Sequence, residues 1–225
     1  MREMILTGIL PRYAGIGVSL SQKEEKMSKT QKKTRTIAGC GMLTAAAVIL
    51  QYIEVSIPIM PSFIKLDFSD LPELIGAFAY GPVAGIVIAL LKNIIHMAVS
   101  QSGYIGELSN FLLGAVFAGV AGLIYKRNKT KKTAFIAGLA GAVAMGIMSV
   151  PFNYFIVYPL YYSVLGFPEA AVLGMYQALL PSTKSILSAL LIFNLPFTVV
   201  KGLISVAVSM LIYKPISPLL KGKTE

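Results

Sequence analysis

Apolar runs long enough to cross a bilayer, punctuated by clusters of lysine and arginine, constrain this chain more than any other feature. The runs cover about residues 37–53, 82–100, 107–125, 133–164 and 186–213, with a shorter one over residues 70–80. A membrane helix needs roughly 20 apolar residues to cross about 30 Å of hydrocarbon, so five of the six runs can span as helices. The short run rises only about 16 Å and cannot cross alone. Gly81-Pro82 separates it from its successor, and the pair is expected to tilt or to turn inside the bilayer where protein shields the turn. With 13% charged residues against about 25% in soluble domains, no separate soluble domain is left over.

The expected fold is therefore an all-α integral membrane protein, a bundle of six transmembrane helices over residues 36–214. Residues 1–35 read as a basic, disordered N-terminal segment and residues 215–225 as a tail. Within the first of these, "SQKEEKM" ends at Met27 and can be encoded by a ribosome-binding purine run, which makes Met27 a candidate start that would leave residues 1–26 untranslated. "PEAAVLGMYQALL", between the last two spans, reads as a surface helix. Cys40 can form no internal disulfide.

The formal charge of +10 could suggest nucleic acid, but its placement excludes that partner. Lys29, Lys32, Lys33 and Arg35 precede the first span, and Lys126, Arg127, Lys129, Lys131 and Lys132 separate the fourth from the fifth. Lys214, Lys221 and Lys223 follow the last. Six spans put all three clusters on one side, which the positive-inside rule makes cytoplasmic, together with both termini. Glu54, Asp67, Asp70, Glu107 and Glu169 fall on the outer side.

Small residues recur every fourth position: Gly81, Gly85 and Ala89; Gly114, Ala118 and Gly122; Ala134, Gly138, Ala142 and Gly146. Such ladders let helix backbones approach in lipid. Gly41 and Ala45 in the first span serve either internal packing or docking of another membrane protein.

Lys92 and Lys201 lie deep in apolar runs, where a charge costs roughly 2.5–3.5 kcal/mol on insertion scales. No carboxylate occupies the middle of a span, so carbonyls, outer-loop carboxylates or a ligand must satisfy them. Lys92, with Asn93 and His96 on the same stripe, reads as structural, and His96 as a satisfied interior histidine. Lys201 reads as a ligand contact, with Thr198 on its helix face and Asn194 one turn above Thr198. Asn153, among Tyr154, Tyr158, Tyr161 and Tyr162, faces them from the fifth span. Amides, a hydroxyl, one ammonium and aromatic rings suit a flat, uncharged heterocycle with polar edges. A polyphosphate would want more cations, and a cationic ligand a buried carboxylate that the sequence does not offer.

"PSFIKLDFSDLPELIG" holds Asp67, Asp70 and Glu73, three of the chain's ten carboxylates. Asp70 as N-cap with Glu73 three residues on, and Pro72 in the first turn, predict a helix start at the outer surface. Upstream, the prolines of "IPIMPSFIKL" predict an extended loop over the pocket, carrying Phe63, Leu66 and Phe68.

With "PSFIKLDFSDLPELIGAFAYGPVAGIVIALLKN", "FNYFIVYPLYY" and "LPFTVVKG", the chain resembles the riboflavin-specific substrate-binding (S) subunits, RibU type, of energy-coupling-factor (ECF) vitamin transporters. The resemblance implies a multi-pass protein of the bacterial plasma membrane that captures riboflavin from outside. Its implied partners are a membrane coupling protein and two ATP-binding-cassette ATPases, which use the ATP; this chain itself needs no cofactor. Ligand contacts carry over to Asn153, Lys201 and the loop at Leu66, Asp67 and Phe68. Thr198 stands where the family often has Asn, exchanging an amide for a hydroxyl. The family's small-residue docking motif appears as Gly41-x-x-x-Ala45, which favours docking for that pair.

The chain has no Gly-x-x-x-x-Gly-Lys-Ser/Thr loop and one histidine, so it is expected to bind rather than catalyse, with no metal site. The alternatives are an S subunit for thiamine, biotin or folate and, less favoured, an intramembrane enzyme. Two matching halves with broken helices, the mark of a secondary carrier, are not apparent.

Overall fold

A computed structural model describes the backbone of residues 6–221, and side chains over residues 28–212 except residue 29. Two compact units divide the chain, Met1–Gly39 and Cys40–Glu225, and helix α1 (Leu6–Tyr52) runs through the boundary. In the first unit Lys32 and Lys33 are exposed. The side chains of residues 1–27, and with them the question of Met27, lie outside the described residues, as do those of residues 215–225.

In the second unit, α1 ends at Tyr52 and a small antiparallel ladder follows, β1 (Val55–Ser56) on β2 (Lys65–Leu66). Then come α2 (Asp70–Tyr80), α3 (Pro82–His96), α4 (Ile105–Arg127), α5 (Lys131–Phe152), α6 (Tyr158–Val164), α7 (Glu169–Leu179), α8 (Ile186–Ala189) and α9 (Leu195–Lys221). The break at Gly81-Pro82 falls where the sequence places it: Gly81 adopts φ +104°, and Pro82 opens the next helix. The surface helix of the last long loop is α7.

Among the described residues, four helical stretches are long and apolar enough to cross a membrane: Pro82–Val99, Ile105–Arg127, Lys131–Val164 and Ile186–Ile212. The last two are continuous because π turns, Asn153–Val157 and Leu190–Asn194, join α5 to α6 and α8 to α9. Each turn lies two residues from a proline, Pro151 or Pro196. A proline removes a rung of the backbone ladder, and wider turns of this kind absorb the defect.

The ladders act as packing seams. A Cβ on Gly85 would stand 2.8 Å from those of Ala77 and Ala118. One on Gly202 would stand 2.7 Å from that of Ala142. Without side chains there, α2, α3 and α4, and likewise α5 and α9, approach backbone to backbone. One cluster buries Leu74, Phe117, Met145 and Val206, and another sets Leu43 and Ala47 of α1 against Ile75 and Ile88. Phe135, Ile147, Leu191, Val200 and Leu203 stay exposed, an apolar exterior suited to lipid.

α2 departs from the sequence reading. Residues 70–78 are all buried, so the helix begins inside the protein and not at its outer surface. Ser69, not Asp70, is the N-cap, and no side chain caps the helix. The carboxylates of the first turn are therefore free for other partners.

Candidate ligand-binding site

The acidic first turn of α2 meets both deep lysines. Lys201 Nζ lies 2.9 Å from Asp67 Oδ2 and 3.3 Å from Asp70 Oδ2. Lys92 Nζ lies 3.3 Å from Asp70 Oδ1 and 2.6 Å from Glu73 Oε1, and it also contacts the Ser69 hydroxyl. The order Asp67–Lys201–Asp70–Lys92–Glu73 forms one buried chain of alternating charge, with three carboxylates to two ammoniums. Burial alone would raise the Asp67 carboxyl; Lys201, then Lys92 and the Ser69 hydroxyl, hold it well below the usual carboxylate range. The expectation that no buried carboxylate exists is thus corrected. The physical reason is the depth at which α2 starts, which a local capping pattern does not encode. Gly114 completes the arrangement, since a Cβ there would collide with the Glu73 carboxylate.

Above this chain lies a cavity of about 600 Å³. It takes in the C-terminal end of α1, the loop after it, the N-terminal part of α4 and the π-turn regions of the two long spans. It therefore sits at the end of α4 and α5 opposite the basic loop of residues 126–132. Asn153, Asn194, Thr198, Lys201 and Asp67, singled out from sequence, all line it. Asp70 joins them, whereas Lys92 and Glu73 lie behind it.

Leu66 and Phe68 do not line the cavity, but Phe63, Ile64, Lys65 and Asp67 do. In extended chain, alternate side chains face opposite ways, so Lys65 and Asp67 share one face and Leu66 and Phe68 take the other. The loop is at the cavity as expected, through Phe63 and Asp67 but not Leu66 or Phe68.

The amides have defined roles. Asn153 Nδ2 donates to the Ser149 carbonyl at 2.7 Å, and because a carbonyl only accepts, Oδ1 is the group left to accept from a ligand. Asn194 Nδ2 donates to the Tyr158 hydroxyl at 3.3 Å, while its Oδ1 accepts from Tyr176 at 2.7 Å.

On the opposite wall His96 is indeed a satisfied histidine, with Nδ1 2.9 Å from Glu107 Oε1, and Ser100 and Ser102 donate to Glu107 Oε2. Glu54 pairs with Lys65. Every carboxylate around the cavity thus has a partner within the protein.

Sequence reasoning missed Gln51, Ser109 and Asn110 in the lining. Gln51 is 1% exposed and donates to Asn93 Oδ1 at 3.1 Å. The signal for the α4 pair was present: "GELSN" is a polar run opening an otherwise apolar span. Gly41 and Ala45 are both exposed on α1, and a Cβ on Gly41 would meet nothing within 4 Å. That face is not used for packing among the described residues.

Comparison with known proteins adds independent findings. The family model for the substrate-specific component of ECF transporters matches residues 35–213. Riboflavin transporter RibU of Staphylococcus aureus (strain TCH60) is 33% identical over 192 residues, 84% of this chain and 94% of that protein. Riboflavin transporter FmnP of Bacillus subtilis (strain 168) is 28% identical over 189 residues, 83% of this chain and 94% of that protein. A solved structure of the S component of a bacterial ECF transporter superposes with a TM-score of 0.66 at 32% identity, covering 84% of this chain and 99% of that one.

Proposed function

The chain belongs to the ECF transporter substrate-specific component family, and from that premise we propose that it captures riboflavin outside the bacterial plasma membrane for ATP-driven uptake. The observation that carries the substrate is the cavity wall that unites Asn153, Asn194, Thr198 and Lys201 with Phe63, Tyr158 and Tyr161. Riboflavin is a neutral, flat tricycle whose pyrimidine edge alternates carbonyls with an N–H, joined to a polyol. An accepting Asn153 and a donating Asn194 read such an edge, and the aromatic rings pack its faces. Lys201, shared between two aspartates, has little charge to spare for a phosphate, which favours an uncharged ligand.

Six membrane helices follow if α1 and α2 join the four long spans, with α2 enclosed by its neighbours. The basic loop after α4 then faces the cytoplasm with both termini, and the cavity faces outward. The exposed Gly41–Ala45 face of α1 docks the coupling protein, and two ATPases on that protein supply the energy. The chain binds its ligand and releases it unchanged, with no cofactor of its own.

Protein purified from flavin-containing cells should be yellow and bind riboflavin with sub-micromolar or tighter affinity. A colourless protein that leaves riboflavin fluorescence unquenched rejects the assignment.

A further inference from the structure

Tyr176 belongs to α7, outside the four long apolar spans, yet its side chain is fully buried. Its hydroxyl donates to Asn194 Oδ1 at 2.7 Å, and Asn194 Nδ2 donates to the Tyr158 hydroxyl at 3.3 Å. The two tyrosine hydroxyls also bond each other. A hydroxyl has one proton to give. Tyr176 spends its proton on Asn194, so Tyr158 donates to Tyr176 and accepts from Asn194. The three side chains form a closed ring in which every donor has one acceptor and all run in the same sense, an arrangement in which each bond polarises the next.

The ring has a cavity side and a far side. Asn194 and Tyr158 line the cavity, and Tyr176 does not. The amide oxygen of Asn194 is therefore drawn toward α7, and the second N–H of Nδ2 is the group that remains for a ligand. The Phe63 ring packs edge-on against Tyr158 and Tyr176, with centroids 6.4 and 6.3 Å away, so the loop over the cavity presses on this same ring.

We infer that Tyr176 is a positioning residue: from outside the spans its hydroxyl donates to the Asn194 oxygen, holding that oxygen away from the cavity and leaving the amide N–H to meet a carbonyl oxygen of the ligand. This rests on the riboflavin reading above. Without the Tyr176 hydroxyl the amide can rotate and present its oxygen instead, which a ligand carbonyl would repel.

The test is a double-variant cycle on riboflavin affinity, measured by fluorescence quenching with the full-length purified protein. Tyr176→Phe keeps the buried ring and removes the hydroxyl. It should weaken binding about 5- to 10-fold in the wild-type background, the loss expected for one neutral hydrogen bond. In an Asn194→Ala background it should change affinity less than twofold, because there is no amide left to position. The infrared carbonyl band of bound flavin should shift in Tyr176→Phe in the direction it shifts in Asn194→Ala. Asn194→Asp, which still accepts from Tyr176 but has no N–H to offer, should bind as weakly as Asn194→Ala, and this arm is informative even where Tyr176→Phe fails to fold. Equal losses from Tyr176→Phe in both backgrounds, an unmoved carbonyl band, or wild-type affinity in Asn194→Asp each overturn the inference. Wild-type protein that does not bind riboflavin at all rejects the functional reading and this inference with it.

Discussion

Replacing Lys201 with Met tests the buried charge chain directly. The ammonium sits 2.9 Å from Asp67 and 3.3 Å from Asp70, and the three residues are 7%, 4% and 2% exposed. Methionine fills a similar volume but leaves three carboxylates facing Lys92 alone. Removing one partner of a buried pair costs about 3–5 kcal/mol, because the charge left behind is desolvated without compensation. For a chain of this size each kcal/mol moves the unfolding midpoint by roughly 2–4 °C, so the ligand-free protein should melt roughly 6–20 °C lower. Asp67→Asn combined with Lys201→Met removes one charge of each sign and restores the original imbalance, so the double variant should recover more than half of that loss. Thermal denaturation in detergent, followed by loss of the monodisperse peak, gives both numbers. A single variant within 1 kcal/mol of wild type, or a double variant as unstable as the two singles added together, would refute the account of the cluster.

Four further outcomes are expected. Asn153→Ala removes the acceptor fixed by Ser149, so riboflavin affinity should fall about 5- to 10-fold with the melting midpoint nearly unchanged, by titration and thermal denaturation on the same sample. Gly114→Ala drives a methyl group against Glu73 and should cost about 1–3 kcal/mol of stability in the same melting assay, more than an alanine at the exposed, uncrowded Gly41. Gly41→Leu should leave riboflavin binding intact and abolish riboflavin uptake by cells; uptake at the wild-type rate would remove α1 from the docking surface. Because the Asp67 carboxyl is held below its unfolded value of about 4, its contribution is present above that pH and lost as pH falls below it. The acid limb of a stability profile should therefore be shallower in Asp67→Asn than in wild type.

What could be read from the sequence was local. The limits of the four long spans, the Gly81-Pro82 break and the small-residue ladders depend on composition and spacing within one helix, and the structure places them as those patterns require. Asn153, Asn194, Thr198 and Lys201 were legible as polar groups that an apolar helix would not carry without use. What escaped depended on depth and parity. Ser-Asp-x-x-Glu reads as a cap wherever a helix begins, and nothing in it reports that α2 begins within the protein beside Lys92 and Lys201. Leu66, Asp67 and Phe68 were chosen together, without knowing which face of the loop meets the cavity. Tyr176 was hidden for a related reason, since a helix that looks peripheral gives no sign that one of its side chains reaches a binding amide.

The π turns at Asn153–Val157 and Leu190–Asn194 act as phase shifters. Each inserts extra winding, so the azimuth of residues beyond it no longer follows from the residues before it. The stretches of α5 and α9 that interlock through Gly138, Gly146 and Gly202 can therefore keep one fixed gear-tooth alignment while α6 and α8, beyond the turns, are dialled separately. A one-residue deletion within residues 154–157 would leave the interlocked half undisturbed and rotate Tyr158 and Tyr161 by about 100° relative to it. The aromatic wall of Tyr158 and Tyr161 and the scaffold beneath it are in this sense separately mutable along a single helix.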